Sequence, residues 1–334
     1  MIKTLIVDDS PVIRSILRDF LESDGSFEIV GEAENGKEGV EKARALNPDL
    51  ITMDIEMPVM GGLEAIAEIK QSMNTPIVVI STHDTAKMAY EATVKGAMEF
   101  YSKDHFTSSM TPQNQQNILE TLKHISSVRR PTLTKQQIQT PIRSAGNNKI
   151  NAVVIASSTG GPKALSSLCA ALPADFPVPI ILVQHNSSGF DKGFVQWLDT
   201  YTPLEVRLAK AGEKPVKGKF YVAPTDKHLL IEHGVFVFDN GEPVNNQKPA
   251  ADVLFKSAAG FYGSAVISAV LTGMGADGAN GSYYIKQSGG ITIAQDEATS
   301  MIYGMPQAAA NTGCIDMVLP LDKIPARLII LTKS

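Results

Sequence analysis

Cysteine is scarce in this chain: Cys169 and Cys314 are the two present in 334 residues. They are too few and too far apart for a disulfide framework or a metal-ligand cluster. That scarcity fits a reducing cytoplasm, and both are expected as small core residues. Long apolar runs are missing as well. Although 43% of the residues are hydrophobic, no uncharged stretch approaches the ~18 residues that a membrane span requires, so direct membrane insertion is not expected. The opening Met1-Ile2-Lys3-Thr4-Leu5 meets Asp8-Asp9 too soon to form a secretory signal. Acidic residues disappear from one segment: residues 123–149 carry 6 basic side chains, no acidic one, and no Phe, Tyr or Trp. Without aromatics to stack on bases, that basic run reads as a flexible linker, and no nucleic-acid partner is expected.

The linker separates two stretches that are each long enough to fold alone, since domains cluster near 100–150 residues. Residues 1–122 hold 10 Lys and Arg against 20 Asp and Glu, whereas residues 150–334 are nearly balanced at 14 against 15. In the first stretch, apolar runs at Thr4–Val7, Leu50–Met53, Ile77–Ile80 and Glu99–Ser102 alternate with segments of helical period. The first such segment sets Val12, Ile13, Ile16, Leu17, Phe20 and Leu21 on one face, with Ser10 as N-cap and Pro11 in the first turn. Strand–helix alternation of this kind predicts a doubly wound parallel α/β sheet with its ligand site at the carboxyl ends of the strands.

Asp8, Asp9, Asp54, Ser81 and Lys103 all fall at such ends. Three crowded carboxylates repel one another unless a divalent cation sits among them, and hard oxygen donors suit Mg2+. Asp54 can then act as nucleophile toward a phosphoryl donor, with Lys103 and Ser81 ready to meet the phosphoryl oxygens. The stretches Ile6-Val7-Asp8-Asp9-Ser10, Met53-Asp54-Ile55-Glu56-Met57-Pro58, Ile80-Ser81 and Gly96 to Lys103 resemble a response-regulator receiver domain, which has a flavodoxin-like fold. The resemblance implies Asp54 as phosphoacceptor, Asp8 and Asp9 as Mg2+ ligands beside it, Ser81 and Lys103 as phosphoryl-sensing groups, and Phe100 as an aromatic that changes rotamer. Two positions depart from the pattern. Asp104 replaces the usual proline, which leaves the local backbone open, and Gly61 replaces a common acidic residue.

In the second stretch, the apolar run Asn151–Ala156 breaks at Ser157-Ser158-Thr159-Gly160-Gly161-Pro162, after which Ala164, Leu165, Leu168 and Leu172 recur with helical period. His185 follows the run Pro179–Val183, and Thr272-Gly273-Met274-Gly275-Ala276-Asp277-Gly278 follows Ala265–Leu271. The loops admit two readings. In one, Ser158 is a nucleophile, His185 its general base and Asp277 the orienting carboxylate; Ser157 is a rival nucleophile and His228 has a possible role nearby. In the other, Gly273 to Gly278 is a literal G-x-G-x-x-G, with Asp296 placed to bind a ribose. A negative Asp277 inside a pyrophosphate loop counts against the second, but spacing alone leaves both open. His83, His105 and His124 are read as surface groups, and His233 as part of a hairpin turn at Gly234.

Six blocks in order resemble the catalytic domain of the chemotaxis receptor methylesterases, the CheB family: Ser158 to Pro162, Val183-Gln184-His185, Tyr221 to Pro224, Ala251 to Phe255, Leu271 to Gly278 and Ala294 to Ala298. The resemblance implies a Rossmann-like methylesterase domain, the Ser158, His185, Asp277 triad with no cofactor for the ester chemistry, and the Met274 N–H as oxyanion donor. Ala156-Ser157 and Asn186 depart from the family's usual Gly-Ala and Met. It further implies a cytoplasmic monomer that hydrolyses glutamate γ-methyl esters on the cytoplasmic helices of methylated chemoreceptors, releasing methanol, and that also deamidates receptor glutamines. A chemotaxis histidine kinase would be its phosphodonor, and the unphosphorylated receiver would hold the esterase back.

Overall fold

A computed structural model of the chain describes residues 1–82, 86–106, 110–127 and 149–333. They form two compact units that divide near residue 131. His83 and most of the expected linker lie outside the described residues.

The first unit is a five-stranded parallel sheet in the order β2-β1-β3-β4-β5. Its strands are β1 (Ile2–Val7), β2 (Phe27–Ala33), β3 (Leu50–Met53), β4 (Ile77–Ser81) and β5 (Glu99–Ser102). Helices α1 (Pro11–Glu22), α2 (Gly36–Leu46), α3 (Gly62–Ser72), α4 (Ala86–Lys95) and α5 (Pro112–Ser127) follow them. Ser10 caps α1 as expected, its Oγ accepting the Ile13 N–H at 3.4 Å. The exposed face of α1 is cut differently from the sequence reading, however. Val12 is 65% exposed, while Arg14 is buried, donating to the Asp8 carbonyl at 2.8 Å and pairing with Glu32 at 3.1 Å. Strand β2 was hidden in the sequence by Glu28, Gly31 and Glu32, which an edge strand tolerates because one side faces water. Helix α5 continues five residues beyond the expected domain end at residue 122, and Lys123, on that extension, is ion-paired with Asp24 at 2.7 Å.

The second unit holds a seven-stranded parallel sheet ordered β14-β13-β12-β6-β7-β9-β8. Its centre is β12 (Val266–Val270), β6 (Ala152–Ser157) and β7 (Ile180–Gln184), flanked by β13 (Ile291–Gln295), β14 (Met317–Leu319), β9 (Lys219–Val222) and β8 (Glu205–Leu208). All residues of the three central strands are buried, as expected where helices cover both faces of a parallel sheet. Among these helices, α6 (Gly161–Ala170) follows β6, α8 (Ala251–Tyr262) precedes β12 and α9 (Ala279–Gln287) follows it. The first strand in sequence, β6, lies between β7 and β12, so the chain builds outward on one side and returns to build on the other. The crevice at such a switch point is where an open α/β sheet places its ligand. A separate hairpin, β10 (His228–Glu232) with β11 (Val235–Asp239), turns at His233-Gly234 as read from the sequence. Cys169 is fully buried, but Cys314 is only partly covered and is not a core residue. No helix among the described residues is long and apolar enough to cross a membrane.

The loop after β3 contains a strained position. Val59 has φ 68° and is 81% exposed, so nothing in the packing rewards a left-handed conformation that a β-branched residue resists. Val59→Asn should raise the stability of the first unit by about 1 kcal/mol. Denaturant unfolding of the full chain checks this, and an equal or lower midpoint would show that Val59 is not strained.

Candidate functional site

Two sites lie at the carboxyl edges of the two sheets. In the first unit, β1 delivers Asp8 and Asp9, β3 delivers Asp54, β4 ends at Ser81 and β5 leads into Lys103. Asp8 and Asp54 are nearly fully buried, Asp9 is exposed, and one oxygen from each of the three falls within 4.8 Å of the others. Lys103 Nζ bridges Asp8 at 2.9 Å and Asp54 at 2.8 Å. Burial pushes the Asp54 carboxyl up to about 6, and the charge of Asp8 adds to it against the pull of Lys103. Burial raises Asp8 as well. Lys103 would be lowered by burial, but its two carboxylate partners outweigh that and hold its pKa above the ordinary value. One ammonium therefore does not fully compensate three carboxylates. A hard divalent cation among these oxygens fits the donor set and the unrelieved repulsion.

Arg14, which the sequence reading did not single out, fixes the Asp8-Asp9 segment by donating to both carbonyls, at 2.8 and 3.3 Å. Phe100 is buried edge-on against Tyr90 at 4.6 Å. Asp104 takes the place of proline in a short 3-10 turn, Lys103–Phe106, and its peptide bond with Lys103 is trans. Gly61 is the N-cap of α3 and offers no side-chain acceptor there.

In the second unit, three adjacent strands place the three expected side chains: Ser158 follows β6, His185 follows β7, and Asp277 lies in the loop after β12. His185 Nε2 is 2.8 Å from Asp277 Oδ2. Since Asp277 is an anion, Nε2 carries the proton and Nδ1 has the free lone pair. His185 Nδ1 is buried without a hydrogen-bond partner, and no hydrogen bond joins it to Ser158 Oγ among the described residues. Asp277 is 2% exposed and surrounded by donors: Ala251 N at 2.6 Å, Asp252 N at 2.9 Å and Gly278 N at 3.1 Å. Burial alone would raise its pKa, but His185 and the N–H groups at the start of α8 hold it below the ordinary carboxylate value.

Ser157 is fully buried and its Oγ donates to Gln184 Oε1 at 2.6 Å, which removes it as a rival nucleophile. Gln184, which the sequence reading did not single out, in turn donates to the carbonyls of Ser158 at 3.1 Å and His185 at 3.0 Å, tying the two loops together. Gly161 is required beneath it, since a Cβ there would stand 2.2 Å from Gln184 Oε1. The Ser158 N–H is already given to the Thr272 carbonyl at 3.0 Å, so an oxyanion formed on an ester at Ser158 would have to find its donors in neighbouring loops. A Cβ on Gly273 would come within 2.7 Å of Ser158 Cβ, so the loop after β12 passes close to Ser158.

The dinucleotide reading fails on the same loop. The amides at the start of α9 that would cradle a pyrophosphate are occupied by Asp252 Oδ1, which accepts from Gly278 N at 2.9 Å and Gly281 N at 2.6 Å. Asp296 is turned onto its own loop, accepting from Thr299 N at 3.0 Å. His228 is buried and structural: Nδ1 accepts from Ala250 N at 3.2 Å and Nε2 faces the Glu242 carbonyl at 2.9 Å. It therefore helps set the entry into α8.

Comparison with known proteins agrees with this division. Residues 153–328 match the family model for the CheB methylesterase, and residues 4–111 match the response regulator receiver domain. A curated relative from Thermotoga maritima, named protein-glutamate methylesterase/protein-glutamine glutaminase, is 40% identical over 98% of each chain. One of the same name from Clostridium acetobutylicum is 38% identical over 98% of this chain and 97% of its own. The crystal structure of the Thermotoga maritima CheB methylesterase catalytic domain is 42% identical and superposes with a TM-score of 0.54, covering 55% of this chain and 99% of that one.

Because the folded chain makes Asp277 more acidic than the unfolded chain does, its ionisation contributes stability that is fully present above about pH 4 and is lost as the pH falls through its folded value. Asp277→Asn should therefore lower unfolding free energy by about 1–3 kcal/mol at neutral pH. The gap from wild type should narrow in acid, below about pH 4. Urea unfolding at the two pH values tests this; a gap that does not change with pH would show that the anion is not what the site stabilises.

Proposed function

The chain belongs to the CheB methylesterase family, with a receiver domain ahead of the methylesterase domain, and on that premise we propose that it hydrolyses glutamate γ-methyl esters on the cytoplasmic helices of chemoreceptors. The observation that carries this reading is the placement of Ser158, His185 and Asp277 on three neighbouring strand ends, with His185 locked to Asp277 at 2.8 Å. Ser158 Oγ attacks the ester carbonyl carbon while its proton passes to His185 Nδ1, and the imidazolium formed is stabilised by Asp277, which stays ionised. The tetrahedral oxyanion is held by backbone donors that include the Met274 N–H. Its collapse expels the methoxy group, which takes the proton from Nδ1 and leaves as methanol. Water then attacks the acyl-serine, giving a proton to Nδ1, and the glutamate carboxylate and free Ser158 are restored. A receptor glutamine follows the same course with ammonia as the leaving group. The ester chemistry requires no cofactor.

In the receiver, Asp8, Asp9 and Asp54 would hold Mg2+, which when bound neutralises charge on a phosphoryl group. Asp54 Oδ is the phosphoacceptor for a chemotaxis histidine kinase, and Lys103 and Ser81 contact the phosphoryl oxygens. Phosphorylation then releases an inhibition that the receiver exerts on the esterase. We read the protein as a cytoplasmic monomer whose substrate, rather than the enzyme, is in the membrane.

Methanol release from methylated receptor membranes tests the esterase. Ser158→Ala should lose at least about 10³-fold in rate, whereas Ser157→Ala should keep most of it; undiminished release by Ser158→Ala would sink the triad. Regulation has its own test. A fragment beginning near residue 147 should hydrolyse receptor esters faster than the unphosphorylated full chain, and Asp54→Asn should abolish any gain from a phosphodonor. If the fragment is no faster, inhibition by the receiver is wrong.

A further inference from the structure

Behind the His185–Asp277 pair lies a second buried carboxylate with an unusual set of partners. Asp252 is the second residue of α8 and is 8% exposed. Its Oδ1 accepts from Gly278 N and Gly281 N, at the start of α9, while Asp277, in the loop entering α9, accepts from Ala251 N and Asp252 N, at the start of α8. The two helices thus exchange caps: α9 binds, at its amino-terminal end, a carboxylate carried by α8, and α8 binds one carried by the loop that leads into α9. Asn245 Nδ2 closes the arrangement, donating to Asp252 Oδ2 at 2.8 Å and to Asp277 Oδ1 at 3.3 Å.

This geometry leaves Asp277 little freedom. Its Oδ1 is shared among Asp252 N, Gly278 N and Asn245, so its Oδ2 is left to Ala251 N and His185 Nε2. The path of Gly278 is set by Asp252 in turn. A shift of Asp252 would release the first turn of α9 and, with it, the backbone that carries Asp277. Keeping two carboxylates this close is electrostatically costly: burial and the charge of Asp277 both raise the pKa of Asp252. A neutral residue at 252 would avoid that repulsion, so the carboxylate is there for its two acceptor atoms in fixed directions.

We propose that Asp252 is a positioning residue for the esterase reaction, fixing Asp277 in the orientation that holds His185 with Nε2–H toward the aspartate and Nδ1 available to Ser158. The inference rests on the triad reading above. Asn245 is its partner, a spacer whose amide donates to both carboxylates at once.

The test uses the full-length chain and methylated receptor membranes. Asp252→Asn keeps an oxygen for the α9 amides but turns a second amide toward Asn245. It should lower kcat about 10- to 100-fold, the range seen when a partner behind a functional side chain is lost. KM should stay within about twofold, because substrate binding is not altered. The 15N–1H spectrum of the histidine-labelled protein, with His185 assigned by its replacement, should change from one ring tautomer to a mixture. Asn245→Asp provides a second variant, at an exposed position outside the helix cores, and its folding is checked by urea unfolding beside the wild type. It sets a new carboxylate against Asp277 and should lower kcat several-fold with the same KM. A folded Asp252→Asn protein with wild-type kcat, or one whose loss is wholly in KM, overturns the proposal. If Asp252→Asn does not fold, Asn245→Asp decides: unchanged kcat and an unchanged tautomer refute the role. Ser158→Ala separates the two levels, since its retained activity would remove the triad itself, whereas an inactive Ser158→Ala beside a fully active Asp252→Asn removes the positioning role alone.

Discussion

The buried carboxylate of Asp277 is the constraint around which the catalytic unit is organised. A carboxylate removed from water is unfavourable unless its oxygens are filled by donors, and burial by itself would protonate it. Here the donors are the first-turn amides of α8, the Gly278 N–H, the Asn245 amide and the imidazole of His185. Helix α8 must therefore begin where it does, and His228 at the end of the β10 hairpin holds Ala250 in place for that start. The hairpin, the helix, the glycine loop after β12 and the histidine after β7 are tied through one side chain. Ser158 needs no such network, because β6 at the centre of the sheet and the Gln184 clamp already place it.

The two sites treat negative charge in opposite ways, and the difference matches the tasks proposed for them. Asp277 is saturated with donors and held ionised, as the orienting carboxylate of the proposed triad requires. Asp54 and Asp8 share the one ammonium of Lys103 and are pushed toward protonation. A site left under-compensated in this way has a standing attraction for a cation and, once charge is balanced, for a phosphoryl group. Saturation suits a permanent catalytic group, and under-compensation suits a site whose ligands come and go.

Much of this was readable in the sequence, for reasons that particular residues make clear. The central strands β6, β7 and β12 are almost wholly apolar, Ser268 within β12 excepted, because both their faces are covered, and a polar residue at or soon after the end of each breaks the run. Thus Ser158, His185 and Asp277, like Asp8, Asp54 and Lys103, stood in the short segments that follow apolar runs, and the resemblance of the ordered blocks was needed to read the first three as a triad. Strand β2 was not legible, since an edge strand with Glu28, Gly31 and Glu32 lacks the apolar signature. Arg14 and Asp252 were missed for a related reason. Each is a charged residue in a helical segment, where polarity is ordinarily a mark of the solvated face, and only the fold shows that Arg14 is turned onto the Asp8 carbonyl and Glu32, and Asp252 onto the amides of a distant helix start. Gln184 fell between the apolar run Pro179–Val183 and His185 with no role assigned, and its clamp on two loops depends on the pairing of β7 with β6.

The glycine-rich loop shows why local spacing could not decide between two chemistries. A G-x-G-x-x-G entering a helix offers unpaired amides and a positive dipole end, and a pyrophosphate satisfies both. A carboxylate from the same protein satisfies them equally well. Here Asp252 from α8 takes the α9 amides, and Asp277 takes those of α8 in exchange. The motif therefore specifies an anion at the start of the helix without specifying whose anion it is. With the position filled from within, the glycine at 273 serves backbone approach to Ser158, and the loop carries the carboxylate that holds His185 in place of cradling a nucleotide.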